Sequence, residues 1–270
     1  MAMPFDKPLE RRRIMVVDDQ KFIRGLVSQG LRGMGAEVVE AADGFEAITI
    51  LGVQDHLNAA GVGFPAGDRS DVIQPVAKGR QQFDAIVTDI RMGPMNGLEM
   101  LKAIRAGLSH ARRDLPVIIM SAHSDEALIA AAIALDAHGF VTKPVSQKLV
   151  ADRLKRSFEV TVPLKEADDY RLLIIPDLEG LSLAPGAAPA GQAGAVIRAA
   201  DVIAASGHRT LKLRWQDLDV GDVLAENFAT RNGRLIAPVG TRVTHLLTVA
   251  LADLADLTEL MEMVAVRRKN

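Results

Sequence analysis

The chain contains no cysteine among its 270 residues. That excludes disulfides, thiolate metal sites and cysteine nucleophiles, and it fits a reducing compartment. Charge of one sign is also lacking: the formal net charge is -2. Residues 1–159 carry 20 Lys+Arg against 20 Asp+Glu, and residues 160–270 carry 12 against 14. Such a balance gives no broad pull toward nucleic acid or membrane, and neither half has the basic excess of a DNA-binding output domain. No apolar run is long enough to cross a bilayer, because the Ala-rich stretch 193–206 is interrupted by Arg198 and Asp201. Met1 to Arg13 lacks the apolar stretch of a secretory signal, and its arginines read as a solvated entry to the first strand. No internal repeat of fixed period is found. The expectation is a cytoplasmic protein with no membrane insertion and no DNA partner. At 49% hydrophobic, it has core enough for one large domain or two small ones.

What is present is a set of short apolar runs with polar ends. Ile14–Val17 leads to Asp18-Asp19, Ala85–Thr88 to Asp89, Val117–Met120 to Ser121, and Phe140–Thr142 to Lys143. Val38-Val39 supplies a further strand. Helical patterns alternate with these runs over about residues 20–33, 45–51, 97–108, 125–135 and 146–158. Short apolar runs alternating with helices predict a buried parallel sheet, and function in such sheets collects at the carboxyl ends of the strands. Phe22, Leu26 and Leu31 are expected to face inward from the first helix, and Ser124 or Asp125 to cap the fourth. Between the second helix and the third strand the rhythm breaks. Glycines 61, 63, 67 and 79 and prolines 65 and 75 mark an insertion at about 53–81, read as disordered or accessory.

The polar residues at these ends form a chemically coherent set. A carboxylate such as Asp89 can attack a phosphoryl donor and form an acyl phosphate. The donor is anionic, so a cation must accompany it, and Mg²⁺ suits an all-oxygen site. Asp18, Asp19, Asp89 and the backbone carbonyl of Arg91 are the candidate ligands. Crowding carboxylates penalises their ionisation, and a metal with the ammonium of Lys143 offsets that repulsion. Ser121 would donate its hydroxyl to one phosphoryl oxygen and Lys143 would pair with another. Taken singly, an Asp-Asp pair reads as a helix cap, Ser121 as a turn residue and Lys143 as a surface charge. Their joint occurrence, each at the end of a strand and in this order, is what points to a site.

Val16-Val17-Asp18-Asp19-Gln20, Glu40-Ala41-Ala42-Asp43-Gly44, Thr88-Asp89-Ile90-Arg91-Met92, Asn96-Gly97-Leu98-Glu99 and Thr142-Lys143-Pro144 together resemble the receiver domain of bacterial two-component response regulators, of the chemotaxis-regulator type, over about residues 11–159. The resemblance implies a flavodoxin-like, doubly wound α/β fold with a five-stranded parallel sheet in the order 2-1-3-4-5. It also implies a cis Lys143–Pro144 bond and phosphorylation of Asp89 by a sensor histidine kinase or phosphotransfer protein. Ser121 and Phe140 would form a switch that changes what helix 4, strand 5 and helix 5 bind: a downstream protein, or a second copy in a homodimer. Phe140 reads equally as ordinary core. The family usually has Pro-Gly where this chain has Gly93-Pro94, which affects the loop beside Asp89. Two alternatives stand. One is a phosphorelay intermediate passing phosphate to a histidine phosphotransfer protein. The other is a haloacid-dehalogenase-like phosphatase, which needs a second aspartate where Arg91 stands. Arginine cannot carry that proton transfer, so the chain reads as a signalling protein and not an enzyme.

Beyond residue 160 the character changes. A linker region is expected over 160–209, with a strand at 171–175, an Ala/Pro/Gly-rich stretch at 181–194 and a short helix at 195–205. A small α+β module is expected over 210–267. Its predicted parts are a strand at 211–215, a hairpin about Asn232-Gly233, a helix capped by Thr244 and running to about Asp256, and a strand from Met263. Leu246, Leu247, Leu251 and Leu254 would share one face of that helix. Val220–Asn227, residues 232–236 and Val239–Thr241 resemble a small module found beside bacterial signalling domains. It reads as a docking unit without catalytic residues, with His245 a surface or cap histidine and Trp215 a filler of the small core.

Overall fold

The computed structural model describes residues 8–52, 82–122, 126–160, 164–176, 208–231, 233, 235–255 and 259–269. The expected insertion at 53–81, the cap at Ser124 or Asp125, the stretch 181–194, the helix 195–205 and residues Asn232 and Asp256 lie outside them. The first half alternates strand and helix: β1 (Arg13–Val17), α1 (Lys21–Gly33), β2 (Glu37–Ala41), α2 (Gly44–Leu51), β3 (Ala85–Asp89), α3 (Gly97–Arg105), β4 (Val117–Ser121), α4 (Glu126–Ala134), β5 (Gly139–Thr142) and α5 (Gln147–Glu159). The five strands are all parallel, in the order β2-β1-β3-β4-β5. This is the flavodoxin-like arrangement expected from sequence.

Side-chain alternation divides the sheet between two cores. Ile14, Val16, Val87, Ile118, Met120 and Val141 face α1 and α5, packing on Val27, Leu31, Val150 and Leu154. Met15, Val17, Ile86, Val117, Ile119 and Phe140 face the other way, toward α2, α3 and α4. Burial on both faces explains why each strand reads as an unbroken apolar run. Local caps fix the helix starts. Asn96 accepts hydrogen bonds from the Leu98 and Glu99 amides while Glu99 accepts from the Asn96 amide, a complete capping box.

Two local expectations are corrected. Phe22 is 78% exposed and Leu26 37% exposed, while Leu31 is buried as expected. Helix α1 carries two apolar stripes, and the sheet takes the one formed by Ile23, Val27 and Leu31 at i, i+4, i+8. No strand forms at 171–175: residues 171–172 end a short helix, α6 (Ala167–Leu172), and 173–176 have no regular structure. Asp168 and Asp169 favour its first turn electrostatically, and Arg171 pairs with Asp168 one turn back. The decisive term is an anchor: Tyr170 is fully buried, its hydroxyl donating to Asp136 Oδ2 at 2.5 Å.

The C-terminal module contains β6 (His208–Arg214), a 3₁₀ turn at Trp215–Asp217, β7 (Val223–Leu224), β8 (Phe228–Ala229), β9 (Leu235–Ala237), α7 (His245–Ala255) and β10 (Met263–Lys269). β10 lies antiparallel between β6 and β7, and β8 pairs with β9 about the expected turn. Thr244 Oγ1 caps α7 by accepting from the Leu247 amide at 3.1 Å. The apolar face of α7 is buried as predicted, with Leu246, Leu247, Leu251 and Leu254 all 4% exposed or less. His245 is exposed at the start of this helix. The module's core runs without a break into the receiver-like half: Phe228, Ile236, Val243, Leu247 and Leu251 join the cluster containing Phe140 and Leu128.

Candidate functional site

The four strand ends converge at one edge of the sheet. Asp18 and Ser121 are fully buried, Asp89 is 5% exposed and Asp19 is exposed. Lys143 Nζ lies 2.6 Å from Asp89 Oδ2 and 3.1 Å from Asp18 Oδ2. One ammonium thus bridges carboxylates from β1 and β3. The second oxygen of each carboxylate is held by backbone: the Ile90 amide donates to Asp89 Oδ1 at 2.7 Å, and the Gln20 amide to Asp18 Oδ1 at 2.9 Å. Lys143 is placed by β5 and by its amide, which donates to the Ser121 carbonyl at 2.8 Å. The Lys143–Pro144 bond is cis, as is Gly93–Pro94.

Burial pushes the Asp89 carboxyl above the usual carboxylate range, and the Asp18 charge adds to this; the hydrogen bond and charge of Lys143 oppose it only in part. Burial alone would lower Lys143, yet its hydrogen bond to Asp89 and the charges of Asp89 and Asp18 raise it overall. The lysine is therefore a firm cation facing a carboxylate that is costly to ionise without a further positive charge.

Ligand oxygens of Asp18, Asp19 and Asp89 lie within 4.8 Å of one another. An all-oxygen, anionic donor set of this span fits a hard divalent cation such as Mg²⁺. Ser121 sits at the end of β4 and donates Oγ–H to the Ala122 carbonyl at 3.0 Å. Phe140, at 1% exposure, is packed in the core on the α4 side of the sheet.

Three supporting residues were not singled out from sequence. Thr88 Oγ1 donates to the Asp89 carbonyl at 2.9 Å. Arg24 Nη1 donates to the Asp18 carbonyl at 2.5 Å. Gly97 passes so close to β3 that a Cβ there would stand 2.1 Å from the Asp89 carbonyl oxygen. Thr88 and Gly97 stand within the sequence motifs that contain Asp89 and Asn96, whereas Arg24 left no signal.

Residues 62–155 match the response regulator receiver domain family. The regulators of RpoS of Escherichia coli K12 and Shigella flexneri are 30% identical over 139 residues, which is 52% of this chain and 32% of theirs. The chain thus spans about a third of the length of these curated relatives. Among solved structures, the chemotaxis response regulator CheY4 of Vibrio cholerae is 26% identical, covering 54% of this chain and 98% of its own, with a TM-score of 0.38. A receiver domain protein from Clostridium thermocellum is 20% identical, covering 55% of this chain and 94% of its own, with a TM-score of 0.40. The match from before β3 through most of α5, together with the five-stranded parallel sheet that ends in an acidic edge, places a receiver domain in this chain.

Proposed function

We propose that Asp89 is the phosphoacceptor of this response regulator and that its phosphorylation changes which protein the chain binds. The observation that carries this is the convergence of Lys143 on Asp89 at 2.6 Å and on Asp18 at 3.1 Å. Asp18, Asp19 and Asp89, with the Arg91 carbonyl, would hold Mg²⁺. When bound, that ion supplies the positive charge that lets an anionic phosphoryl group approach a carboxylate.

The chain's own residues divide the remaining work. The Ile90 amide fixes Asp89 Oδ1, so Oδ2, held only by the tip of Lys143, is the oxygen that forms the new O–P bond. The bond from phosphorus to the donor breaks, and its electron pair leaves with the donor. Lys143 then exchanges a carboxylate oxygen for a phosphoryl oxygen at little cost, because its flexible stem retains Asp18 as a second partner. Ser121, at the adjacent strand end, supplies a hydroxyl donor. Arg91 stands two residues after the nucleophile and offers no general base for rapid hydrolysis. That suits an acyl phosphate that persists as a signal.

A sensor histidine kinase or phosphotransfer protein is the donor this chemistry calls for, in the cytoplasm. The test is intact mass after incubation with Mg²⁺ and acetyl phosphate. One added phosphoryl group is expected in the parent and none in Asp89→Asn. Equal addition in both would overturn the assignment.

A further inference from the structure

A cavity of about 500 Å³ lies where the two halves of the chain meet. Its walls come from α4, from residues 164–173, and from β9, the loop after it and the start of α7. Ile133, Ala134, Leu164, Leu173, Ile236 and Leu246 form the apolar wall. Ile133, Leu164 and Leu173 stay only part-buried, although each packs on the main core. The volume falls in the range of about 300–1,000 Å³ typical of small-molecule sites, which are mostly apolar with a few placed polar groups. No aromatic ring lines the cavity among the described residues. A planar ligand would find nothing to stack on, whereas an aliphatic chain would find a matching wall. The seam beside the cavity is pinned. Asp253, on α7 and 1% exposed, accepts the Phe140 amide at 3.1 Å, and its Oδ1 is 2.9 Å from Arg153 Nη1 and 2.5 Å from Arg156 Nη2. A buried carboxylate matched to two guanidiniums and a strand amide is geometrically demanding, so the two halves hold a fixed spacing and the cavity is preformed.

The polar side chains at the cavity are matched, with one exception. Lys165 Nζ donates to Asp136 Oδ2 at 2.6 Å and to the Ala134 carbonyl at 2.8 Å. The same Asp136 oxygen accepts the Tyr170 hydroxyl. Thr241 Oγ1 donates to the Pro238 carbonyl at 2.7 Å, and Thr244 Oγ1 accepts the Leu247 amide. Arg242 alone among the lining side chains has neither a hydrogen bond nor an ion pair with the described residues. It is exposed, so its guanidinium belongs to the rim. An apolar chamber with one unmatched cation at its mouth is complementary to a molecule with an aliphatic body and one anionic head.

From this we infer that the cavity is a binding site for a small amphipathic monoanion, an aliphatic carboxylate of medium chain length, with its chain in the chamber and its carboxylate on Arg242. The site is separate from the acidic edge of the sheet and does not depend on the reading of Asp89 as phosphoacceptor. Burial of the chain supplies most of the affinity, and each CH₂ group taken from water tightens binding about fourfold. Arg242 supplies orientation and about a further tenfold, as expected for a charge-assisted hydrogen bond at an accessible rim. Because the walls come from both halves of the chain, the test uses the full chain.

The experiment is equilibrium dialysis against radiolabelled octanoate, decanoate, dodecanoate and the neutral decanol, for the parent, Arg242→Gln and Ala130→Leu. Ala130 lines the chamber from α4 and is only part-buried, so a leucine there occupies the space. The parent should bind one decanoate per chain, about 15-fold tighter than octanoate. Arg242→Gln should bind decanoate about tenfold more weakly and decanol as the parent does. Ala130→Leu should lose both ligands while keeping the urea midpoint of the parent. Methyl resonances of Ile133 and Ile236 should shift with decanoate, and those of Ile14, in the other core, should not. If the parent retains neither decanoate nor dodecanoate, there is no such site. Binding that moves neither methyl group, or that both variants leave intact, is adventitious and overturns the proposal. If Arg242→Gln weakens decanol as much as decanoate, the carboxylate does not sit on Arg242. Should Ala130→Leu fail to fold, the Ile133 and Ile236 shifts of the parent decide the chamber, and the exposed Arg242→Gln change decides the head.

Discussion

Replacing Gly97 by alanine tests whether the helix that follows Asp89 is truly set against the strand that carries it. Gly97 opens α3, and its amide donates to the Ile90 carbonyl at 3.0 Å. An added Cβ would meet the Asp89 carbonyl oxygen at 2.1 Å, the Thr88 hydroxyl at 3.0 Å and the Asp89 carbonyl carbon at 3.1 Å. Two of these three atoms are backbone, so relief requires the strand end or the helix start to move by about 1 Å. Overpacking of this kind costs about 1–3 kcal/mol. Displacement of the Asn96 cap would add up to about 1 kcal/mol. The same movement shifts the attacking carboxylate, and a misplacement of about 1 Å can slow a reaction about 100-fold. Urea unfolding gives the first quantity, as a lower midpoint with an unchanged slope. The initial rate of labelling by acetyl phosphate gives the second. Gly25→Ala is the matched control. Gly25 lies within α1 with nothing inside 4 Å of its added Cβ, so that change should stabilise by about 0.5–1 kcal/mol. A Gly97→Ala protein within about 0.5 kcal/mol of the parent and labelled at the parent rate would refute the close approach.

Two further outcomes follow from the charge clusters. Mg²⁺ should stabilise the parent against unfolding by about 2.7 kcal/mol when its free concentration is about 100 times the dissociation constant, read as a raised unfolding temperature; Asp18→Asn should lose that increment, and an equal increment in the variant would remove Asp18 from the metal site. Stability should also fall in mild acid because of His138. Burial, with the charges of Arg105 and Arg112, lowers its pKa from 6.5 to about 3. Between those values the unfolded chain binds a proton that the folded chain refuses, so this contribution is complete above pH 6.5 and is lost as pH falls toward 3. The slope attributable to it approaches about 1.4 kcal/mol per pH unit, and His138→Gln should lack it in urea titrations between pH 5.5 and 4.5. Identical slopes in the two proteins would show that His138 is protonated in the fold.

How much of this was legible in the chain depends on where each constraint originates. The site was readable because the strands are buried on both faces. Their apolar runs end abruptly at Asp18, Asp89, Ser121 and Lys143, and parallel topology brings those ends together. The inward stripe of α1 was not readable, because Phe22 and Leu26 are as apolar as Val27 and Leu31; only the position of the sheet chooses between them. Helix α6 was misread because its conformation is set by an anchor to Asp136, on the far side of the fold in sequence. The seating of the module on β5 had one faint signal: Asp253 interrupts the stripe made by Leu246, Ala250 and Leu254, a charge where the helix should be oily. What that charge meets lies about a hundred residues earlier, and local pattern carries no information about it.

The same dependence on partners separates the site from the scaffold. At the opposite end of the sheet, Arg105 is fully buried and donates to the Arg113, Leu115 and Asp136 carbonyls and to His138 Nδ1. Arginine only donates, so His138 Nδ1 accepts and the ring is neutral there. Asp136 is held in turn by Lys165 and Tyr170. The partners of Arg105 are backbone carbonyls and an anchored ring, and the Asp136 oxygen that meets Lys165 is also tied by the buried Tyr170 hydroxyl. Asp89 has a similar degree of burial but a different kind of partner. One of its oxygens rests on an amide, and the other rests on the tip of a lysine whose side chain is 20% exposed. That oxygen can trade its cation without disturbing the sheet. A buried carboxylate oxygen held by a replaceable lysine alone has a capacity for chemistry that an oxygen also tied to a buried tyrosine lacks.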